Sequence, residues 1–160
     1  MKRPNTAFPA AQLLAVMACY TLCATVGIVV QSMLLRTEND VRQLLASSTQ
    51  PLNVRLVKGI YVEPAEIAFQ DYQAINDSYL RCLRLLFEGG AYIGVATHDD
   101  ALIAGLLAML TEHPHWRERC EVQVLLGVRR WQQRHSHAIM RCVERNVRPR
   151  LDDERFHKVH

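Results

Sequence analysis

Four short runs of β-branched and aliphatic residues recur through the chain, starting near positions 26, 54, 91 and 121, about 28, 37 and 30 residues apart. They are Val26-Gly27-Ile28-Val29-Val30-Gln31, Asn53-Val54-Arg55-Leu56-Val57-Lys58, Ala91-Tyr92-Ile93-Gly94-Val95-Ala96 and Glu121-Val122-Gln123-Val124-Leu125-Leu126. Longer amphipathic segments separate them. Buried parallel strands read as such near-continuous apolar runs, and each crossover between them needs a helix. The pattern therefore predicts an α/β chain of successive βα units.

The intervening segments carry their own punctuation. Residues 10–23 are expected to form a helix before the first strand. Thr37 and Asp40 suggest a capping box for a helix through Val41, Leu44 and Leu45. A long helix is expected over 71–87, with Tyr79, Leu83 and Leu86 on one stripe and Gly89-Gly90 as its stop. Asp99 or Asp100 can cap the next helix, which carries Leu102, Leu106 and Leu110, and a last helix is expected over 128–143. The reading is one domain over 1–145 and a loosely ordered polar tail over 146–160. Four βα units make half of an eight-stranded barrel of about 250 residues. A flavodoxin-like open sheet would mostly need a fifth strand. Periodicity leaves both open.

Composition excludes some classes. Apolar residues at 49% and charged residues at 22% describe an ordinary globular domain, and a net charge of +3 is small for nucleic-acid binding. The five cysteines form no CxxC pair and match no zinc spacing, so a reducing cytosol is the expected setting. Of the histidines, His113, His115, His135, His137, His157 and His160 read as solvated. One rival concerns Pro4 to Leu35, which is free of charge and follows Lys2-Arg3, the outline of a signal peptide or anchor. Polar residues such as Gln12, Thr21, Thr25 and Gln31 dilute that run. A helix followed by a buried strand explains it better.

In parallel α/β folds, function gathers where strands end. Those ends are polar here: Gln31, then Lys58-Gly59-Ile60-Tyr61, then Thr97-His98-Asp99, and Gln123 within the fourth run. The segment Val54-Arg55-Leu56-Val57-Lys58-Gly59-Ile60-Tyr61 resembles the arginine-bearing VRLVKGAY strand of the proline dehydrogenase family. Three more segments resemble that family's strands in its own order. They are Gly27-Ile28-Val29-Val30-Gln31, Ala91-Tyr92-Ile93-Gly94-Val95-Ala96-Thr97-His98-Asp99, and Glu121-Val122-Gln123-Val124-Leu125-Leu126-Gly127. One alone would be weak; four in order are specific.

The resemblance implies a partial (β/α)8 barrel, roughly its fourth to seventh strands, and FAD as cofactor. It implies hydride transfer from L-proline to FAD, giving pyrroline-5-carboxylate, with electrons passed to a membrane quinone and hence a peripheral association with that membrane. By the same resemblance Gln31 hydrogen-bonds the flavin ring, Arg55 lies beside its reactive nitrogen, and Lys58, Gly59 and Ile60 contact FAD. Thr97 and His98 would bind its ribose and phosphate portion. Tyr61 would line the proline pocket, and Gln123 and Leu125 would face the flavin. Strand alternation, carried on from Arg55, puts Val57, Gly59 and Tyr61 on the same face. A fixed cation beside the ring favours its taking up negative charge, so the arginine suits a hydride acceptor.

Each residue also has a plainer role. Lone strand-end arginines usually make surface ion pairs, Gln31 alone is an ordinary amide, and Thr97-His98-Asp99 alone is as well read as a helix cap. The resemblance fades after Trp131. The family's substrate-binding Lys and Asp, and its Arg-Arg clamp for the proline carboxylate, find no counterpart, and Arg129-Arg130 is not that pair. The expectation is a fragment impaired on its own, whose raw sheet edges would be relieved by a companion fragment, by self-association or by rearrangement into a shorter open sheet, unless it is a degenerate remnant that needs none of these. Two alternatives from other classes stand beside it: a non-catalytic flavin-binding or interaction module, and a small membrane-anchored protein using residues 10–30.

Overall fold

The computed structural model describes residues 27–123. Within them lie four strands, β1 (Ile28–Gln31), β2 (Asn53–Val57), β3 (Tyr92–Ala96) and β4 (Cys120–Gln123). Three helices connect them, α1 (Thr37–Ser47), α2 (Tyr72–Glu88) and α3 (Asp100–Glu112), and a 3-10 turn over Pro114–Arg119 leads into β4. The expected helices over 10–23 and 128–143, the end of the fourth run with Leu125, and the 146–160 tail lie outside the described residues.

All strands are parallel and stand in the order β1-β2-β3-β4. This order settles what periodicity left open. A doubly wound sheet reverses direction at a switch point and carries helices on both faces. Right-handed crossovers that always step the same way leave every helix on one side. Burial follows that rule. Val54, Leu56, Ile93 and Val95 are fully buried, against Val41 and Leu44 of α1, Tyr79, Leu83 and Leu86 of α2, and Leu102 and Leu106 of α3. On the other face, Val29 and Arg55 are exposed. The sheet is an arc covered on its outside and open on its inside.

Local chemistry accounts for the ends of these elements. Asp71 caps α2 by accepting from the Ala74 N–H at 2.8 Å, and Asp99 caps α3 by accepting from the Ala101 N–H at 2.9 Å. The expected capping box at Thr37 does not form. The cap position is Arg36, without a side-chain cap bond, while the Thr37 hydroxyl donates to the Gln31 carbonyl at 2.5 Å. Asp40 is taken by Arg36 in an ion pair at 2.6 Å. A buried threonine three residues from an acid matches the capping signature, but its hydroxyl finds the nearer carbonyl at the strand end.

His113 also departs from expectation. It is half-buried, and its ring centroid lies 4.1 Å from that of Trp116, which in turn stacks on Phe87 at 4.7 Å. Among the described residues no helix is long and apolar enough to cross a membrane.

Candidate functional site

The register of the sheet builds the site. Parallel pairing sets Val29, Arg55, Gly94 and Glu121 in one row across the open face, and Gln31, Val57, Ala96 and Gln123 in the next. The first row sets Arg55 beside Gly94 between Val29 and Glu121, and the second has small residues, Val57 and Ala96, in the middle with an amide at each side. The second row lies nearer the carboxyl ends of the strands. Above it opens a trough of about 970 Å³, lined by Gln31, Arg55, Val57, Lys58, Gly59, Ile60, Tyr72, Ala96, Thr97, His98, Asp99, Asp100, Ala101 and Gln123. That is the upper end of the size range of small-molecule clefts.

Eight of the residues anticipated from sequence come together here: Gln31, Arg55, Lys58, Gly59, Ile60, Thr97, His98 and Gln123. Arg55 makes no hydrogen bond or ion pair with any described residue, so its guanidinium is an open fork of donors at the edge of the trough. The Thr37 hydroxyl bond anchors the carbonyl of Gln31, while the neighbouring Ser32 N–H donates to the Val57 carbonyl at 2.8 Å. The first rim residue is thereby fixed from two sides.

Tyr61 does not line the trough and is 73% exposed. Alternation from Arg55 fails before it reaches Tyr61. The strand ends at Val57, and Gly59 has φ +123°, which turns the chain out of the extended conformation. A Cβ at Gly59 would lie 2.0 Å from Met33 Sδ, so this turn also needs the room that only glycine leaves. The loop then returns along the β1 rim. Phe69 N–H donates to the Met33 carbonyl at 2.8 Å, and Leu35 N–H to the Ile67 carbonyl at 3.0 Å.

The roles of Gly94, Glu121 and Asp99 around these residues were not anticipated from sequence. Gln123 lies flat against Gly94: a Cβ there would stand 2.6 Å from Gln123 Nε2. That amide donates to Glu121 at 2.7 Å, and Glu121 also accepts from the Tyr92 hydroxyl at 3.2 Å. A glycine inside a strand pattern signals such a close approach, and Glu121 and Gln123 share a face by alternation, so both were within reach of the sequence. Asp99, expected only as a cap, is a hub. It accepts from Lys58 Nζ, from the Tyr72 hydroxyl, and from Asn76 Nδ2 at 3.4 Å, while Lys58 Nζ lies 4.2 Å over the Tyr72 ring. Burial opposes ionisation of Asp99. The hydrogen bonds from Lys58, Tyr72 and Ala101 N–H, with the Coulombic pull of Lys58, outweigh it and lower its pKa to about 2. No spacing signal links positions 58, 72 and 99.

Among the described residues no group of three or more His, Cys, Asp or Glu converges as a metal site. The arrangement offers a flat floor of Val57 and Ala96, amides at both flanks, a guanidinium without a partner among the described residues, and a polar rim at Thr97 and His98. It suits a planar, polar-edged ring with a hydrophilic extension.

The sequence model of the family described as proline dehydrogenase matches residues 10–143. The proline dehydrogenase of Deinococcus radiodurans is 36% identical over 105 residues, which cover 66% of this chain and 33% of that protein. Proline dehydrogenase 1 of Bacillus subtilis is 37% identical over 103 residues, covering 64% and 33%. The chain thus spans about a third of the length of the curated relatives it matches. In structure it resembles proline utilization A of Bdellovibrio bacteriovorus, solved after inactivation by N-propargylglycine. The TM-score is 0.62 at 20% identity, over 76% of this chain and 16% of that one. That likeness places the four strands as an arc of a (β/α)8 barrel, and the family match over most of the sequence makes this chain a member of the proline dehydrogenase family.

Proposed function

We propose that the trough holds the ring of FAD and that the chain contributes this arc of a site oxidising L-proline to pyrroline-5-carboxylate, with a membrane quinone as the final acceptor. The observation that carries the reading is Arg55, a guanidinium without a partner among the described residues, beside a floor of small residues and flanked by two amides. The side chain is exposed, so holding it there costs the fold little, and its donors are open to a ligand at the edge of the cleft.

FAD, when bound, supplies the two-electron acceptor for the hydride leaving the substrate carbon. Gln31 and Gln123 would hold the polar edges of the ring, and Arg55 would favour negative charge gathering on it. Lys58, Gly59 and Ile60 would cover one side through their backbone, with Thr97 and His98 under the ribose and phosphate portion. Tyr61, on the exposed loop beyond Gly59, would reach the substrate from above. Glu121, by occupying Gln123 Nε2, leaves Oε1 of that amide free as an acceptor for a donor on the ligand.

The test is made on the full 160-residue chain. Purified protein is titrated with FAD, following quenching of flavin fluorescence, and the complex is mixed anaerobically with L-proline. Saturable binding with bleaching of the flavin spectrum, blocked by N-propargylglycine, is the expected result. Binding without bleaching would leave a flavin-binding module that does not oxidise proline. Absence of any saturable binding would overturn the reading.

A further inference from the structure

We infer that Asp99 is a positioning residue for the flavin trough, tying Lys58 and its loop to the starts of α2 and α3. The inference rests on the FAD reading for its purpose and on geometry for its substance.

Three segments meet at this one carboxylate. Lys58 directly follows β2, Tyr72 and Asn76 lie in the first turns of α2, and Asp99 itself caps α3. Oδ2 accepts from Lys58, Tyr72 and Asn76, while Oδ1 accepts from the Ala101 N–H. The Asp99 side chain is 11% exposed and that of Lys58 is 25% exposed, so the pair is partly sheltered from water. The ammonium is held by the carboxylate and covered by the Tyr72 ring. Two consequences follow for the trough. Lys58 does not act as a second free cation beside Arg55. Its backbone is pinned as well, and the Lys58 carbonyl is the acceptor for the Met33 N–H at 2.9 Å, next to the glycine turn that forms the trough wall.

The donor count separates this role from simple helix capping. Lys58 Nζ can only donate, and the Tyr72 hydroxyl and Asn76 Nδ2 donate to Oδ2 as they stand, so an acceptor on that side satisfies all three at once. Asparagine is as good a helix cap as aspartate. If an asparagine at 99 keeps its oxygen on the Ala101 N–H, its amide group faces the Lys58 ammonium, which has no acceptor to offer, and the ion pair is lost. If it flips, the cap is lost.

The experiment uses the full chain as wild type, Asp99→Asn, Lys58→Met and the double variant. Amide hydrogen exchange of residues 58–63 is measured without cofactor, and FAD affinity by fluorescence quenching. The expected result is exchange in that loop about tenfold faster in each single variant and no faster in the double. Exchange in β2 and β3 should stay as in wild type. FAD dissociation constants should rise about tenfold in each single variant, and about tenfold rather than a hundredfold in the double. Unchanged loop exchange in Asp99→Asn, or effects that multiply in the double variant, would overturn the inference. Wild type that binds no FAD overturns the functional reading instead, and the exchange measured on the same protein still decides whether Asp99 pins the loop.

Discussion

Arg55 of β2 and Gly94 of β3 are register partners on the open face of the sheet, a guanidinium beside bare backbone. The same row ends in Glu121, whose carboxylate is occupied by Gln123 and Tyr92. The one acid of that row is therefore already engaged, and the arginine remains available for a ligand. Positive charge, flat floor and fixed amides are brought together by strand pairing alone, before any loop contributes.

Arg55 can therefore be removed at little cost to the fold. Arg55→Met should leave thermal stability within about 0.5 kcal/mol of wild type, because the side chain is exposed and has no partner among the described residues. FAD affinity should fall by about tenfold or more, the scale of one charge-assisted hydrogen bond. Arg55→Lys should lie between, since it keeps the charge and loses the planar fork. Unchanged affinity in the methionine variant would remove Arg55 from the site.

Gly94→Ala separates stability from binding in a different way. The new Cβ would press on the amide end of Gln123, a flexible side chain that can swing aside. We expect a loss of under about 1 kcal/mol in urea denaturation, of the order of one surface hydrogen bond. The displaced amide would then stand in the trough, so FAD binding should weaken by about tenfold. A binding constant equal to wild type would show that Gln123 does not need to lie flat.

How much of this was legible in the sequence depends on the range of the signal. Where they fall on described residues, the β-branched runs and their spacing gave the strands within a residue or two, because the helix-covered face is fully apolar and positions such as Val29, Val57 and Ala96 on the open face are aliphatic too. Asp71 and Asp99 are found at the starts of their helices because capping is local. Periodicity did not distinguish a barrel arc from an open sheet, since strand order is a long-range property. The Thr37 cap was misread because a nearer carbonyl took its hydroxyl. Gln31, Arg55 and Thr97, singled out by resemblance, all line the trough. The link from Lys58 to Asp99 joins residues 41 apart, and nothing local announces it.

Gly59 tests the turn that ends β2. At φ +123° a side chain is strained, and a Cβ would also meet Met33 Sδ at 2.0 Å and Cγ at 2.6 Å. Gly59→Ala should cost about 1–3 kcal/mol in chemical denaturation. Shortening the neighbour by Met33→Ala in the same chain should relieve the clash and leave the backbone strain. The double variant is therefore expected to recover part of the loss relative to Met33→Ala alone. Full recovery would mean that the backbone at 59 is not strained by a side chain.

Acid should loosen the same wall. The Asp99 carboxyl is lowered from 3.8 to about 2, so folding holds it ionised where the unfolded chain begins to bind a proton. For a depressed acid the stabilisation is complete above its unfolded pKa and disappears as pH falls through the folded one. Asp99 thus contributes in full above about pH 4, and its contribution is lost between about pH 4 and pH 2. Glu38 acts in the same sense, lowered by its hydrogen bonds from Arg42 and Arg81, so wild type should keep some acid sensitivity whatever happens at Asp99. Urea denaturation at steps between pH 5 and pH 2 should show a fall in stability that is shallower in Asp99→Asn. The two curves should converge toward the acid end, because a protonated aspartate, like asparagine, brings a donor to the side of Oδ2 where Lys58, Tyr72 and Asn76 already donate. Parallel curves over the whole range would show that Asp99 titrates alike in the folded and unfolded chain, and the ion pair with Lys58 would then carry no stability.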